Sequence, residues 1–259
     1  MGSSKEAVKF FFDNLAGSYH KDRYGGKNDL CSFEMISRKE AVLEFLDRSG
    51  MRGGKLLDAG CGSAVMINEF LARGFEVWGI DISNEMVEEA RKTAVSQKAH
   101  FAVDDIENLD FPDASFDVFA AIGVLDYLTT DEKALAEIKR VLKPGGVAIL
   151  SVSNKFSPVY FLRKNFLPFM RLVFGRNKGK VYLANFSTRE HDPWQFDGQL
   201  DKFGFNKLAS KFVGSSMIPF NIKLPKICFS FAEKAAHITG KLPLGSGYVV
   251  MARNENEGK

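Results

Sequence analysis

The first stretch whose residues could do chemistry is 55–64, which reads Lys-Leu-Leu-Asp-Ala-Gly-Cys-Gly-Ser-Ala. The leucine pair is typical of a buried strand, a Gly-x-Gly turn lets the backbone approach a ligand, and Ala64 is predicted to open a helix. This spacing also serves dinucleotide-binding enzymes, so the turn alone decides little. The carboxylate of Asp58 would repel a pyrophosphate and attract a cation. The motif therefore favours a cationic ligand without phosphate.

Two further acidic positions follow at the ends of the next predicted strands. Strand 76–81 finishes on Asp81, about twenty residues past the glycines, where a carboxylate can accept hydrogen bonds from both hydroxyls of a ribose. Asp105 follows strand 100–103 and could accept from an adenine amino group, with Ile106 over the ring; solvation of a strand end is the alternative explanation. A cation, a ribose and an adenine together describe S-adenosylmethionine (SAM).

The elements that must position these acids alternate along the chain. Two more strands are predicted at 116–122 and 147–152. A capping box at 129–132 predicts a helix that runs to Leu142 and stops at the Lys-Pro-Gly-Gly of 143–146. Such alternation indicates an α/β fold with a doubly wound, mostly parallel sheet, whose ligands bind at the carboxyl ends of the strands.

Before the glycine motif, the sequence predicts two helices, 5–15 and 35–48. The connector between them, 16–26, is rich in glycine and polar residues. It could be a mobile lid that closes over a pocket or an ordinary surface loop, and the sequence favours neither.

The motifs, in their order and separations, resemble those of the class I SAM-dependent methyltransferases, in particular the small-molecule group similar to the ubiquinone and menaquinone biosynthesis enzymes. The matching stretches are 56–64, 79–83, 105–117, 123–128 and 142–146, and the resemblance resumes at 201–205 and 247–252. It implies a Rossmann-like sheet of seven strands with helices on both faces and an antiparallel last strand. It also implies SAM as methyl donor, S-adenosylhomocysteine as product, and no metal.

By the same resemblance, specific residues are expected to bind the cofactor and the acceptor. The cofactor residues would be Tyr19, Asp58, Gly60, Gly62, Asp81, Ile82, Asp105, Ile106 and Ile122. Ala64 stands where many members have a third glycine. Asp126 and Tyr127 replace two histidines common in the quinone-methylating branch, which leaves the acceptor open; Tyr127 is assigned to acceptor binding.

The C-terminal part of the chain differs from the rest in charge. Residues 1–154 carry 18 basic and 25 acidic residues, whereas residues 155–259 carry 17 and 7. Basic residues alternate with phenylalanines in the predicted acceptor-binding insertions, about 155–200 and 212–245. The pattern is typical of a surface that docks on an anionic membrane, or of a lid with lysines extended into solvent. Nucleic acid is disfavoured, because no Asn-Pro-Pro-Tyr-like tetrapeptide follows the fourth strand and no RNA-binding module is present.

One histidine is a candidate general base. His191 precedes Asp192-Pro193, which reads as the N-cap and first turn of a helix that extends towards Phe203. This places His191 near where the acceptor of such enzymes enters. The alternative is a loop histidine without a role in catalysis.

These observations predict a single domain over 1–259, with an N-terminal lid at 1–48, that methylates a small hydrophobic or lipid-like acceptor. The alternatives are a non-catalytic SAM-binding partner protein, a tRNA or other nucleic-acid methyltransferase and, more remotely, an NAD-dependent reductase. Three cysteines without paired spacing indicate a reducing compartment. The N-terminus lacks signal-peptide features, so we expect a cytoplasmic protein, with peripheral contact at the inner membrane surface. The oligomeric state and the methylated atom are not predicted.

Overall fold

A computed structural model describes residues 4–24, 30–94, 96–158, 188–214 and 243–255 of the chain. The strands in these ranges are β1 Gly54–Ala59, β2 Phe75–Asp81, β3 Ala99–Val103, β4 Phe116–Ile122, β5 Leu142–Ser153, β6 Phe205–Val213 and β7 Gly247–Asn254. The helices are α1 Lys5–Tyr24, α2 Leu30–Arg48, α3 Ile67–Ala72, α4 Asn84–Thr93, α5 Glu132–Val141 and α6 Pro193–Lys202, with a short 3₁₀ helix at Leu125–Tyr127.

The strands form one seven-stranded sheet in the order β3-β2-β1-β4-β5-β7-β6. Strands β1 to β5 are parallel, and β7 runs antiparallel to both of its neighbours. The predicted α/β fold with an antiparallel last strand is thus confirmed. The chain order reverses between β1 and β4, and the carboxyl ends of strands at such a switch point are where open α/β sheets bind ligands.

The sheet is buried on both faces, which explains the nearly continuous apolar runs of its central strands. Successive side chains of a strand point to opposite faces, so Leu57 and Phe119 pack in the cluster that includes α5 and α6. Their neighbours Leu56 and Val118 pack in the opposite cluster, which includes α2, α3 and α4. Two cores therefore hold the switch point from both sides.

The predicted connector at 16–26 is wrong as far as Tyr24, because α1 continues through that residue as a single helix. Phe12, Leu15, Ala16 and Tyr19 form an apolar stripe at helical spacing that packs against Met86 of α4. This packing outweighs the low helix propensity of the glycine in the stripe's middle. Likewise, α2 begins at Leu30 rather than at 35.

Two other predicted boundaries also differ. Helix α3 begins at Ile67, not at Ala64, which has a positive φ of 64° in the turn that follows β1. Asp131 occupies the N-cap position of α5, but its side chain makes no capping hydrogen bond. It bonds to residues of the 188–191 segment instead. The predicted end of α5 is confirmed to within one residue, since the helix ends at Val141 and the Lys-Pro-Gly-Gly stretch that follows lies at the start of β5. None of the described helices is both long and apolar enough to cross a membrane.

Candidate cofactor and acceptor site

A cavity of about 260 Å³ lies at the carboxyl ends of the central strands, with α1 along one side. It is lined by eight of the nine predicted cofactor residues, namely Tyr19, Gly60, Gly62, Asp81, Ile82, Asp105, Ile106 and Ile122, and by the predicted acceptor residue Tyr127. Asp58 and His191 are not among its lining residues. The structure therefore brings most of the predicted site together in one cavity.

The glycine turn is fastened to the neighbouring strand and fitted to the loop after β4. The amides of Gly60 and Cys61 both donate to the carbonyl oxygen of Ile80, at 2.7 and 3.0 Å. A Cβ on Gly60 would lie 2.2 Å from Cγ2 of Val124, so no side chain fits there. A Cβ on Gly62 would meet the Tyr19 ring at 3.5 Å. Glycine is required at position 60 by packing as much as by any ligand.

Asp81 is fixed at the end of β2 by main-chain donors. Its carboxylate accepts from the amide of Gly62 at 3.0 Å and from the amide of Ser83 at 2.9 Å. Burial nevertheless raises the pKa of Asp81 above its ordinary value, because desolvation outweighs these hydrogen bonds. The Ser83 hydroxyl in turn accepts from the amide of Met86 and caps α4, while it donates to Asp13 of α1. Helix α1 is thus bonded directly to the part of the cavity lined by Gly60, Gly62, Asp81 and Ile82, which we call the cofactor end.

Asp58 lies beneath the cavity wall, with only 4% of its surface exposed. Burial, assisted by the nearby charge of Asp81, raises the pKa of Asp58 to about 7. The sequence predicted direct attraction between this carboxylate and a cationic ligand. The structure instead buries it outside the lining of the cavity, so direct contact with a ligand there is not seen.

The far side of the cofactor end is closed by an ion pair from α1. Lys5 contacts the carboxylate of Asp105 and lies 2.6 Å from Oε2 of Glu107. The Asp105 oxygen expected to accept from an adenine amino group is thus bound to lysine in this structure. Ile106, expected to cover the ring, is buried and lines the cavity.

Aromatic rings line the opposite end of the cavity, which we call the acceptor end. Phe12 of α1 meets Tyr127 edge-on, with ring centroids 5.3 Å apart. Phe12 also meets Tyr19 at 6.3 Å, and Tyr19 meets Tyr24 at the same distance. Met35 of α2 and Leu128 complete an apolar wall. This end has the shape and chemistry to hold a flat apolar group.

An arginine that sequence analysis missed lies in the wall of the acceptor end. Arg38 of α2 is only 3% exposed, and its Nη2 lies 2.8 Å from Glu34 Oε1 and 3.4 Å from Ser153 Oγ. Its Nη1 lies 3.9 Å from Oδ2 of Asp126. The only local signal was the i, i+4 spacing of Glu34 and Arg38, which many surface helices share.

Behind Asp126, the ionic contacts continue through His191. Its Nδ1 lies 3.3 Å from Asp126 Oδ1 and its Nε2 lies 3.2 Å from Asp131 Oδ1. Arg189 binds both oxygens of Asp131 at 3.0 Å. Although burial acts against the charged ring, the two carboxylates raise the pKa of His191 to about 9. The ring is then protonated at neutral pH and lies off the cavity, which favours a structural cation over the general base considered from the sequence.

Asp126 itself is saturated with partners. The amide of Ser153 donates to its Oδ1 at 2.8 Å and the Ser153 hydroxyl donates to its Oδ2 at 2.6 Å. Although complete burial acts against the charged form, His191, Arg38 and the Ser153 hydroxyl together hold the pKa of Asp126 below its ordinary value. A carboxylate with this many donors is a fixed anchor rather than an available base.

The basic aromatic insertions lie mostly outside the described residues, which omit 159–187 and 215–242. At the described edge of the first insertion, Phe156 and Trp194 are 43% and 58% exposed, with ring centroids 5.2 Å apart. The ammonium of Lys155 lies 5.0 Å from the centroid of the Phe156 ring and 2.9 Å from Asp192. Asp192 caps α6 and Pro193 follows in its first turn, as predicted.

Comparisons with known proteins agree with this geometry. Residues 57–150 match a family described as a methyltransferase domain. Over 223 residues, the chain is 34% identical to a demethylmenaquinone methyltransferase of Staphylococcus haemolyticus, and the match covers 80% of this chain and 88% of the relative. The chain belongs to the class I SAM-dependent methyltransferases. SAM is the cofactor of this methyltransferase.

Other similar proteins act on different molecules. Over 148 residues, this methyltransferase is 32% identical to a malonyl-[acyl-carrier protein] O-methyltransferase of Serratia marcescens, which covers 57% of this chain and 53% of the relative. The fold is also that of a magnesium protoporphyrin IX methyltransferase from Synechocystis, solved with bound S-adenosylhomocysteine. The TM-score is 0.66 at 18% identity, covering 98% of this chain and all of the other. The methyltransferase is of the small-molecule type.

Proposed function

We propose that this methyltransferase transfers the methyl group of SAM to a small, largely apolar acceptor with a flat ring. The observation that supports the proposal is the wall of Phe12, Tyr19, Tyr24 and Tyr127 at the acceptor end. Aromatic side chains provide large contact areas for flat apolar groups and prefer offset or edge-on geometry. That demethylmenaquinone is named for a relative at 34% identity agrees with such an acceptor.

The opposite end fits the cofactor. Asp81 lies at the end of β2, where its carboxylate would bind the ribose hydroxyls, and Ile82 and Ile106 would contact the adenine. Gly62 and Tyr19 both line the cavity, and the methionine portion would lie beside them. When bound, SAM supplies a methyl group activated by its positive sulfur.

The chain's own contribution to the reaction is alignment and exclusion of water. Helix α1 covers the cavity and is held at one end by Lys5 and in its middle by Asp13. A rigid cover fixes the acceptor relative to the methyl group and keeps solvent out, which can contribute as much as about 7–11 kcal/mol to lowering the barrier. We assign His191 to holding this wall in place rather than to proton transfer.

We also propose that the protein takes its acceptor from the surface of an anionic membrane on the cytoplasmic side. The exposed pair Phe156 and Trp194, with Lys155 beside it, borders the basic aromatic stretch 159–187. Exposed aromatics with neighbouring cations are the usual composition of interfacial contacts. Replacing Phe156 and Trp194 with serine should reduce flotation with anionic vesicles at low salt. Equal flotation of variant and wild type would contradict this part.

The acceptor class is tested by incubating the protein with methyl-labelled SAM and three pools from cells: lipid extract, water-soluble metabolites and RNA. We expect label in the lipid extract, in a product of small mass. The matched control is Asp81→Ala, which should reduce transfer to every pool alike. Label in RNA would support a nucleic-acid methyltransferase. SAM binding without transfer to any pool would support a non-catalytic binding protein.

A further inference from the structure

We infer that Arg189 is a positioning residue for the acceptor end, because it holds the loop 125–128, and with it Tyr127, against the segment 188–191. The inference rests on the proposed function, which gives the Tyr127 ring a place in the acceptor wall. Arg189 is not among the described residues that line the cavity, so it would act through Tyr127. It would therefore determine how tightly the acceptor binds and leave the affinity for the cofactor unchanged.

The loop 125–128 depends on Arg189 for partners of its carbonyl groups. The loop is a single 3₁₀ turn, in which amides donate to carbonyls three residues back. So short a helix leaves its last carbonyls without partners inside the helix. The amide of Arg189 donates to the carbonyl oxygen of Asp126 at 2.7 Å, and its Nη1 donates to that of Leu128 at 3.4 Å. Tyr127 is the residue between these two carbonyls, so Arg189 holds its main chain on both sides.

The guanidinium of Arg189 is itself fixed by a carboxylate. Nη1 and Nη2 donate to the two oxygens of Asp131, each at 3.0 Å. Asp131 is only 1% exposed, and a bidentate pair of planar groups sets the orientation of both partners. Loss of the arginine would leave a buried carboxylate with fewer donors, which the loop could relieve only by moving.

The segment that carries Arg189 is fixed to the end of β5. The amide of His191 donates to the carbonyl oxygen of Ser153 at 2.7 Å, and the amide of Lys155 donates to that of His191 at 2.9 Å. Thr188, at the start of this segment, lines the cavity together with Tyr127. Arg189 thus joins two parts of the acceptor wall that lie about 60 residues apart in the chain.

Arg140 provides a matched control, because it binds a loop in a similar way but away from the cavity. Its Nη1 and Nη2 donate to the carbonyl oxygens of Phe111 and Leu109 at 2.6 and 2.9 Å, and it pairs with Asp113 and Glu137. None of these five residues is among the described residues that line the cavity. Arg140→Met should therefore disturb a loop of the fold without moving the acceptor wall.

The position of the Tyr127 ring is tested by fluorine NMR with no ligand added, on protein that carries 3-fluorotyrosine at its 6 tyrosines. Tyr127→Phe identifies the resonance of Tyr127. This ring lies edge-on to Phe12, so its resonance should be displaced from the position in the unfolded chain. In Arg189→Met the resonance should broaden or move towards the unfolded position, whereas in Arg140→Met it should not change.

The consequence for the acceptor is measured as transfer of labelled methyl to the lipid extract. In Arg189→Met the half-saturating amount of extract should rise about tenfold, the usual scale for losing hydrogen bonds to a charged group. The affinity for S-adenosylhomocysteine should stay within about twofold of wild type. Arg189→Lys, which keeps the charge and the main-chain amide but not the bidentate pair, should lie between wild type and Arg189→Met in both measurements.

The inference is overturned if Arg189→Met leaves the Tyr127 resonance and the half-saturating amount unchanged, if it weakens the cofactor as much as the acceptor, or if Arg140→Met has the same effects. Should Arg189→Met fail to fold, Arg189→Lys decides by the same criteria. Failure of wild type to bind S-adenosylhomocysteine or to label the lipid extract would count against the proposed function instead. The fluorine measurement needs neither ligand, so the two failures are distinguishable.

Discussion

The two ends of the cavity are built in different ways. The cofactor end consists of main-chain turns and strand-end acids, as where the amide of Gly62 meets Asp81 at 3.0 Å, nineteen residues along the chain. The acceptor end consists of side chains from distant segments, as where Arg38 meets Ser153, 115 residues away. Main-chain geometry serves a cofactor shared by a whole family. Side chains on separate elements can change with the acceptor while the fold stays the same.

Charge is also handled differently at the two ends. Asp58 is buried and Asp81 is half-buried, and desolvation, together with the charge of a neighbouring carboxylate, raises the pKa of both. Asp126 and Asp131 are buried beside His191, and cations hold the pKa of both below the ordinary value. The carboxylates of the cofactor end would therefore be stabilised by a cationic ligand. Those behind the acceptor end are already paired with the protein's own cations.

The largest expected effect is at Asp126. Asp126→Asn would leave buried cations without compensation, and we expect the free energy of unfolding to fall by about 3–5 kcal/mol in urea titrations. Asp113→Asn, which removes an exposed carboxylate paired with Arg140, is the matched control and should cost less than about 1 kcal/mol. Similar losses in the two variants would mean that the acceptor-end charges are not a buried network.

His191 gives the acceptor end a characteristic pH dependence. The pKa of His191 is raised in the folded protein from 6.5 to about 9. Its contribution to the stability of the fold is therefore fully present below pH 6.5 and is lost as the pH rises through 9. The expected loss is up to about 3 kcal/mol, since one pKa unit corresponds to about 1.4 kcal/mol. The free energy of unfolding of wild type and of His191→Gln is measured between about pH 6 and about pH 10, a range that spans both pKa values. Plotted against pH, the two free energies should have different slopes. Parallel curves would argue against the charged ring.

At the cofactor end, the effect falls on binding rather than on stability. Asp81→Ala should weaken SAM by about 1.5–3 kcal/mol, the usual cost of losing hydrogen bonds to a charged group. Calorimetry measures this loss of affinity. The control variant is Asp110→Ala, which removes an exposed carboxylate. An unchanged affinity for SAM would mean that Asp81 does not bind the ribose.

The smallest expected effect is a proton linked to cofactor binding. Since the pKa of Asp58 is raised from 3.8 to about 7, its destabilising charge develops as the pH rises towards 7. A cationic ligand favours the ionised form of Asp58, so below pH 7 the binding of SAM should release the Asp58 proton. SAM should therefore bind about tenfold more tightly at pH 8 than at pH 6. Calorimetry in buffers of different ionisation enthalpy detects this proton, and Asp58→Asn should remove it. Proton uptake would contradict the sign.

The contrast between the ends also explains what the sequence could predict. The bounds of β4 and the lining positions of Gly60, Gly62 and Asp81 follow from local patterns, since strand, turn and acid are consecutive in the chain. Helix α1 was divided incorrectly at position 16, because the stripe that packs on Met86 acts only in the folded protein. Arg38 had no motif, since Ser153 and Asp126, which it contacts, are distant from it in the chain. The stretch 129–132 was predicted to be a capping box, but the N-cap residue is Asp131 and its side chain is bound to Arg189 and His191.

The most direct test of two separate ends is to compare Tyr127→Leu with Asp81→Ala for both cofactor affinity and methyl transfer to the lipid extract. Affinity for S-adenosylhomocysteine is measured by calorimetry and transfer by label in the product. We predict that Tyr127→Leu keeps cofactor affinity within about twofold, well under 1 kcal/mol, yet loses most of the transfer. Asp81→Ala should lose both. If Tyr127→Leu weakens the cofactor as much as Asp81→Ala does, the cavity does not divide into a cofactor end and an acceptor end.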